Sequence, residues 1–308
     1  MTKFIIRRLL GLIPTLFIII TISFFVIRVA PGGPFSADRK VPPEVLKNLE
    51  AKYHMDDPLL KQYGDYMLNV LRFDLGPSFV YQDYDVNFYI GQGLPKSMLV
   101  GGLAIAVALM LGLVAGIISA LRQNSVADYV AMSIAVVGIS VPLFVIGPAL
   151  MFIFAVKLDW LPVAGWINTL GPVALIMPVA TLALPSFAYI ARLSRASVLE
   201  TLRSDYVRTA RAKGLSTPVI IFKHVLKGSM LPVVSYLGPA LAATLTGSVV
   251  VEQIFRVPGL GRHFVNSAFN RDYTMIMGTV IVYSAILLVL NFLVDILYGY
   301  LDPRISYK

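Results

Sequence analysis

The basic stretch RSDYVRTARAKGLSTPVIIFKHVLKGSMLP, residues 203–232, lies between two long apolar segments, and the rest of the chain is organised around it. Its residue pattern predicts two short helices joined at a bend. Either Ser204 or Asp205 can cap a first helix of about residues 206–213. Gly214 is expected to end that helix, because glycine adopts a positive φ without steric cost.

The second half of this stretch predicts another helix, with Thr217 as its cap, Pro218 at its first position and Gly228 at its end. Apolar residues share one side of this helix: Val219, Ile220, Phe222, Val225 and Leu226. Basic residues share the other side: Lys223, His224 and Lys227. Two interpretations are open at this point, a docking element for a partner protein and a cationic loop that only fixes membrane topology.

Composition indicates an integral membrane protein. Of the 308 residues, 57% are hydrophobic and 14% are charged, whereas soluble domains carry about 25% charged residues. The net charge of +9 comes from basic residues beside apolar runs, which favours the positive-inside effect over nucleic-acid binding. The chain contains no cysteine, and its three histidines lie far apart in sequence, so we expect no metal site and no cofactor.

Hydropathy predicts an all-α protein with six transmembrane helices. The expected spans are residues 9–27, 98–121, 129–156, 172–190, 231–254 and 277–301. The first span is interpreted as an uncleaved anchor, because it is longer than the apolar core of a signal peptide. A cleavage site at Ala30 would also need a small residue at the −3 position, where the chain has Arg28. Lysine and arginine cluster in the segments that would face the cytoplasm, which predicts that both termini and residues 203–232 lie there.

These spans divide the chain into four parts. Residues 1–30 form an N-terminal transmembrane helix, and residues 31–96 form a small, mostly helical extracytoplasmic segment, with a plain linker as the alternative. Residues 97–302 form a five-helix core that carries a polar loop at 192–230, and residues 303–308 form a cytoplasmic tail.

The heptapeptide GQGLPKS at residues 91–97 resembles a phosphate-binding loop but does not meet its requirements. Such a loop needs glycine directly before the lysine and a strand before the loop. Here Pro95 precedes Lys96, Ile90 occupies the first glycine position, and an apolar span follows. The chain therefore has no recognisable nucleotide site.

Two acidic residues lie in or beside apolar spans. Asp295 is either a group on a substrate or proton path or a structural contact near the cytoplasmic surface, with Asn291 one turn away as a candidate partner; we favour the structural role. Glu252 is expected at the membrane interface. Gly112 and Gly116 form a GxxxG pattern, which predicts a close helix–helix approach in the second span.

The run ARLSRASVLETLRSDYVRTARAKGL at residues 191–215 closely resembles the cytoplasmic-loop signature of permease subunits of peptide-type ABC importers, the oligopeptide permeases among them. Further landmarks agree: APGGP at 30–34, DLGPS at 74–78, VEQIFRVPGLG at 251–261, NRDY at 270–273 and DPR at 302–304. The resemblance covers essentially the whole chain. It implies a type I importer permease fold in the inner, or cytoplasmic, membrane of a bacterium, and a multi-pass subunit without its own ATPase site.

The same resemblance implies the partners and the roles of the loop residues. The partners would be a second homologous permease, two cytoplasmic ATP-binding subunits and an extracytoplasmic peptide-binding protein. Gly214 and Ala210 align with the glycine and the second alanine of the family's loop motif, whereas Arg208 replaces its glutamate. The residues expected to couple the loop to the ATPase are Ala210, Arg211, Lys213, Gly214, Val219, Phe222 and Leu226.

The predicted function is therefore passage of oligopeptides through a membrane without chemical conversion. One alternative is the same machine with another cargo: dipeptides, glutathione, muropeptides or a nickel chelate. Another is a secondary carrier that needs no ATPase, which would favour inverted repeats and several charges in mid-membrane. A third is a membrane enzyme, for which Asp295 alone supplies no catalytic pair.

Overall fold

The computed structural model describes residues 2–30, 33, 43–81, 83–245 and 249–301. Within these ranges the regular structure is helical, and one isolated bridge joins Pro77 to Asp85. This confirms the predicted all-α class. The tail 303–308, most of the APGGP motif and the DPR motif lie outside the described residues.

The first half of the chain forms seven α-helices within the described residues: α1 Thr2–Val29, α2 Pro43–Lys52, α3 Leu59–Leu71, α4 Val86–Leu121, α5 Val126–Ser140, α6 Leu143–Leu150 and α7 Ile167–Leu170. A π-helical segment, Met151–Lys157, extends α6, and a 3₁₀ turn, Pro172–Leu175, follows α7. Because α4 begins at Val86, the expected boundary between residues 96 and 97 falls inside a continuous helix that accommodates Pro95.

The second half forms eight further α-helices in the described part: α8 Ile176–Leu202, α9 Asp205–Ala212, α10 Thr217–Val219, α11 Leu226–Ser229, α12 Leu231–Leu245, α13 Val249–Phe255, α14 Leu260–Asn270 and α15 Tyr273–Leu301. A π-helical segment, Ile220–Val225, joins α10 to α11. We call the end of the bundle at the C-terminus of α4 the loop end, because α9, α10 and α11 lie there, and the other the opposite end.

Among the described residues, four helices are long and apolar enough to cross a membrane: Ile5–Val29, Val86–Leu121, Pro172–Leu202 and Tyr273–Leu297. Two further candidates are bent pairs. Val126–Ser140 and Leu143–Lys157 meet at 114°, and Thr217–Ser229 and Leu231–Leu245 meet at 53°. The total is six if each bent pair counts as one span.

The 114° bend lies in the predicted third span and has a local cause at Val141 and Pro142. A residue before proline is driven out of the helical region, and Val141 has φ −92° and ψ 124°. Pro142 then starts the next helix as its N-cap. A second proline of this segment, Pro148, lies inside α6 without ending it.

The pair of α4 and α8 forms the centre of the bundle, and the predicted GxxxG pattern allows their close approach. A Cβ on Gly112 would lie 2.9 Å from the Cβ of Ile190, and one on Gly116 would lie 2.5 Å from the carbonyl oxygen of Ala191. In lipid, helix association depends on such backbone proximity. The predicted small-residue contact is thus confirmed.

At the opposite end, the DLGPS and NRDY motifs meet around one buried carboxylate. Asp272 is fully buried and accepts hydrogen bonds from the Ser78 hydroxyl, from the Phe79 N–H at 3.2 Å and from the Met275 N–H at 3.2 Å. The Thr274 hydroxyl donates to the Pro77 carbonyl at 2.6 Å. Together these bonds fix the start of α15 against the segment before α4.

The VPGLG segment wraps a second carboxylate at this end. Glu252 accepts from the Ser97 hydroxyl at 2.6 Å and from the Arg262 N–H at 3.2 Å, while Ser97 accepts from the Leu260 N–H at 2.9 Å. Glu252 is only 2% exposed, and its depth relative to the membrane stays a prediction. Gly259 permits this packing, because a Cβ there would overlap the Glu252 carboxyl group and the Ser97 hydroxyl.

Candidate functional site

The bend of the basic loop is a helix C-cap built on Gly214. Gly214 has φ +75°, its N–H donates to the Arg211 carbonyl at 2.9 Å, and the Leu215 N–H donates to the Ala210 carbonyl at 3.3 Å. This pair of bonds is a Schellman motif. A Cβ at Gly214 would meet no atom within 4 Å, so backbone conformation, not crowding, requires glycine there. The predicted end of the first helix is confirmed.

The caps at the N-terminal ends differ from the prediction in detail. Ser204 occupies the N-cap position of α9, but its hydroxyl donates to the Thr201 carbonyl at 2.7 Å and makes no capping bond. For α10 the N-cap is Ser216, so Thr217 lies one residue further inside the helix than expected. Pro218 follows in the first turn, where its missing N–H removes no helical bond.

The prediction that Gly228 closes the second helix was wrong. The helical path continues through Gly228 to Ser229, and α12 begins at Leu231 after the 53° bend. A Cβ on Gly228 would lie 2.9 Å from the Tyr206 hydroxyl oxygen. This atom is the tip of a half-exposed side chain, so a larger residue at position 228 would have to displace the tyrosine ring.

Half of the loop's apolar surface packs onto the chain itself. Val207 and Ala210 of α9 and Ile220 and Val225 of the π-helical segment are buried. They form one cluster with residues near the loop end of α4 and α8, Ala120 and Val198. Ala210 thus lies close to its own core, and the loop is joined to the central helix pair.

The other half of the apolar surface faces away from the chain. Phe222 is 75% exposed and Val219 is 40% exposed, whereas Leu226 is half-buried. On a monomeric surface, a largely exposed phenylalanine beside other apolar side chains is typical of an interaction site. Of the apolar residues predicted for docking, Phe222 and Val219 are thus presented outward.

Basic side chains surround this exposed surface. Arg211 and Lys213 at the end of α9 are exposed, as are Lys223 and Lys227. Arg208 lies 3.6 Å from Asp205, and both side chains are largely open to solvent. Such an exposed pair adds little stability. The positive charge of the loop is therefore presented outward together with Phe222.

A partly buried ion pair lies close to the loop, and the sequence analysis did not identify it. Arg195 on α8 donates from Nε to Asp128 Oδ1 at 2.7 Å and from Nη2 to Oδ2 at 2.7 Å. Asp128 also accepts from the Ser119 hydroxyl on α4 and from the Asn124 N–H at 2.9 Å. The bidentate geometry ties α4, α5 and α8 together. Only the fold brings Arg195 and Asp128, which are distant in sequence, into contact.

Asp295 is not part of the loop site. Its Oδ2 lies 3.2 Å from Nε of Arg8, which joins α15 to α1, and both side chains are partly exposed. The candidate partner Asn291 instead faces α12, where a Cβ on Gly238 would lie 3.3 Å from its Oδ1. The arrangement favours the structural role that we expected for Asp295, with a different partner.

Comparison with protein families gives two matches that together cover most of the chain. The family described as "Binding-protein-dependent transport system inner membrane component" matches residues 112–307. The N-terminal part of the membrane components of such systems matches residues 1–78.

Curated relatives are similar from end to end. The oligopeptide transport system permease protein OppB of Haemophilus influenzae is 48% identical over 307 residues, which is 100% of both chains. The dipeptide transport system permease protein DppB of Bacillus subtilis is 46% identical over 306 residues, covering 99% of this chain and 98% of the relative.

Solved structures show a shared fold at low sequence identity. The inward-facing MetNI methionine ABC transporter has a TM-score of 0.56 at 16% identity and covers 70% of this chain and 97% of its own. An amino acid ABC transporter solved with histidines has a TM-score of 0.55 at 19% identity. The match covers 69% of this chain and 94% of the transporter chain. The likeness confirms the predicted importer permease fold, and at these identities it carries no information on cargo.

Proposed function

Because this chain belongs to the family of binding-protein-dependent transport system inner membrane components, we propose that it is the permease of an ATP-driven importer that carries oligopeptides into the cytoplasm. The observation that carries this proposal is the end-to-end identity of 48% with an oligopeptide permease. The chain is a transport subunit, and ATP hydrolysis is assigned to partner subunits.

The proposed assembly contains two permeases, two cytoplasmic ATP-binding subunits and an extracytoplasmic peptide-binding protein. The family description, which names binding-protein dependence and the inner membrane, supports this composition. Both termini and loop 192–230 are proposed to lie in the cytoplasm. The clustering of basic residues in this loop supports that orientation.

The exposed surface around Phe222 and Val219 is the proposed contact with an ATP-binding subunit, and Leu226 lies at its half-buried margin. Arg211 and Lys213 would meet acidic groups at the rim of that contact. Gly214 keeps α9 and α10 at the required angle through its positive φ.

Movement of the ATP-binding subunit would reach the membrane through the buried half of the loop. Ala210 and Ile220 pack on the cluster that includes Val198 of α8, so displacement of the loop displaces the central helices as a body. The ion pair of Arg195 and Asp128 stiffens this connection, because it joins three helices behind the loop.

Dipeptides are the second candidate cargo, supported by the 46% identity with the dipeptide permease of Bacillus subtilis. Reconstitution of the complete importer in liposomes tests both candidates. Uptake of labelled peptides of graded length is measured with and without ATP and the binding protein. We expect ATP-dependent uptake that favours peptides longer than two residues. Peptide uptake that persists without the ATP-binding subunits would contradict the proposal that this chain works in an ATP-driven importer.

A further inference from the structure

Helix α3 carries an apolar surface that is about twice as wide as the part that the chain covers. At about 100° per residue, its apolar positions extend over roughly 200° of the helix circumference. The covered positions pack on α1 and its neighbours: Tyr63, Tyr66, Met67 and Val70. The most exposed apolar positions are Leu60, Leu68 and Leu71, with exposed fractions of 76%, 53% and 73%, and Leu59 in the first turn is 43% exposed above the covered strip.

Polar side chains occupy the remaining arc of α3. Lys61 and Asp65 are exposed there, and Arg72 follows at the C-cap on the same side. Lys61 is held by Asp57, with Nζ 2.9 Å from the carboxylate oxygens. The helix is therefore divided along its length into a covered apolar strip, an open apolar strip and a polar strip. This division is typical of helices that lie in a membrane interface.

Contacts with α1 place α3 beside the membrane-spanning part of that helix. The Thr21 and Tyr63 hydroxyls are 2.7 Å apart, and the Phe25 and Tyr63 rings stack at 5.5 Å. Arg28 donates from Nε to Gln62 at 3.1 Å. Thr21 lies about 10 Å along α1 from Arg28, at a rise of about 1.5 Å per residue. Tyr63 thus reaches well past the level of Arg28 toward the membrane centre.

Two arginines give the depth scale on α1. Arg8 and Arg28 are separated by about 30 Å of helix, which equals the hydrocarbon thickness of a typical bilayer. Between them, Ile22 and Val26 of α1 are exposed on the bundle surface, next to the level of α3. The open strip of α3 therefore lies near the level of exposed apolar residues on α1.

The turn after α3 pairs several of its backbone groups within the chain, although Arg72 and Asp74 in it are exposed. The Phe73 N–H donates to the Val70 carbonyl at 3.0 Å, and the Asp74 N–H donates to the Asn69 carbonyl at 2.9 Å. The Asn87 side chain donates to the Phe73 carbonyl at 2.6 Å. Such internal pairing is what lipid contact demands of the backbone. Phe73 itself has φ +59° and is 85% exposed, so a strained residue presents an aromatic ring outward.

We propose that α3 lies in the membrane interface at the Arg28 end of α1, with Leu60, Leu68, Leu71 and Phe73 immersed among phospholipid acyl chains. In this arrangement, part of the segment between the first two spans is bound to lipid beside α1, and the remainder can face water. The proposal rests on membrane insertion alone and does not depend on the cargo.

The chain contains no native cysteine, so single labels can be placed in this subunit before it is assembled with partner subunits whose cysteines have been replaced. Nitroxide labels are placed at Leu68→Cys and Leu71→Cys on the open strip, and at Asp65→Cys and Arg72→Cys on the polar strip. In nanodiscs of phosphatidylethanolamine and phosphatidylglycerol, collision rates with oxygen and with a nickel chelate are compared. Ile22→Cys serves as the lipid reference, and Glu50→Cys on α2, an exposed position outside the loop, serves as the water reference.

At positions 68 and 71 we expect the collision rate with oxygen to exceed that with the nickel chelate several-fold, as at Ile22. At positions 65 and 72 we expect the nickel chelate to collide more often than oxygen. Equal, water-like collision rates on both strips would overturn the proposal. Low rates for both reagents at 68 and 71 would also overturn it, because they would indicate a protein partner on the open strip. Leu60→Cys and Phe73→Cys provide independent positions if a variant at 68 or 71 fails to insert.

Discussion

At the opposite end of the bundle, motif residues bury their polar groups against each other, whereas at the loop end Phe222 remains three-quarters exposed. Asp272 and Glu252 each accept several hydrogen bonds from within the chain. In the loop, the exposed apolar and basic side chains lack such buried networks in the described structure. The comparison separates motifs that build the subunit from a motif that we propose contacts another protein.

Gly214 provides the most severe test of the loop end. Gly214→Pro should abolish peptide uptake, because proline fixes φ near −65° and removes the N–H that bonds to Arg211. Insertion should be largely intact, since a side chain at this position meets no neighbour within 4 Å. Gly214→Asn is the matched control and should retain more activity, because asparagine tolerates the left-handed region. Full uptake and normal ATPase attachment in the proline variant would disprove the coupling role.

Asp272 tests the opposite end through stability. Asp272→Ala removes the acceptor for Ser78, Phe79 and Met275 and should destabilise the protein by about 3 kcal/mol. Thermal unfolding in detergent measures the effect. Asp83→Ala, an exposed acidic residue near the same end, is the control and should change stability little. Equal stability of the two variants would mean that the motif contact contributes nothing to the fold.

Ile220 and Phe222, two residues apart in the π-helical segment, allow a buried and an exposed apolar side chain of the loop to be compared. Ile220→Ala should lower stability by about 2 to 4 kcal/mol, because it leaves a cavity in a buried cluster. Phe222→Ala should leave stability nearly unchanged and weaken co-purification of the ATP-binding subunit. Thermal unfolding and pull-down are measured on both variants. If Phe222→Ala destabilises the isolated subunit as much as Ile220→Ala does, the outward surface is structural.

Asp295 should give the smallest effect. Asp295→Asn breaks a partly exposed contact with Arg8, which is worth at most about 1 kcal/mol. Initial rates of peptide uptake should therefore fall only modestly. Arg8→Gln removes the other partner and should give a similar result. Complete loss of uptake in a stably inserted Asp295→Asn protein would instead assign the carboxylate to the transport path.

Sequence reasoning succeeded where one residue type has one strong physical cause. Gly214 could be predicted to end α9 because few other residues adopt its φ of +75°, and Gly112 could be predicted to face a neighbouring helix. The fold class followed from the length and apolar character of the spans. In each case the decisive interaction is local or depends only on residue size.

Most of what sequence reasoning missed involves partners distant in sequence. Gly228 carries the same residue type as Gly214, but its nearest neighbour is the Tyr206 hydroxyl on another helix. The hydrogen bonds that bury Glu252 could not be predicted, because they require Ser97 and the fold. The pairing of Arg195 with Asp128 likewise depends on how α5 crosses α8. A single sequence gives no measure of such proximity.

The 114° bend between α5 and α6 also has a consequence for biosynthesis. Each limb is 15 residues long, which corresponds to about 22 Å of helix and falls short of about 30 Å of hydrocarbon. Neither limb is therefore an independent insertion signal. Gly138 of α5 packs against Leu184 and Ala188 of α8, a helix that is synthesised later. We expect residues 126–157 to settle in the bilayer only after α8 has emerged from the ribosome, which makes membrane integration of this subunit cooperative rather than strictly sequential.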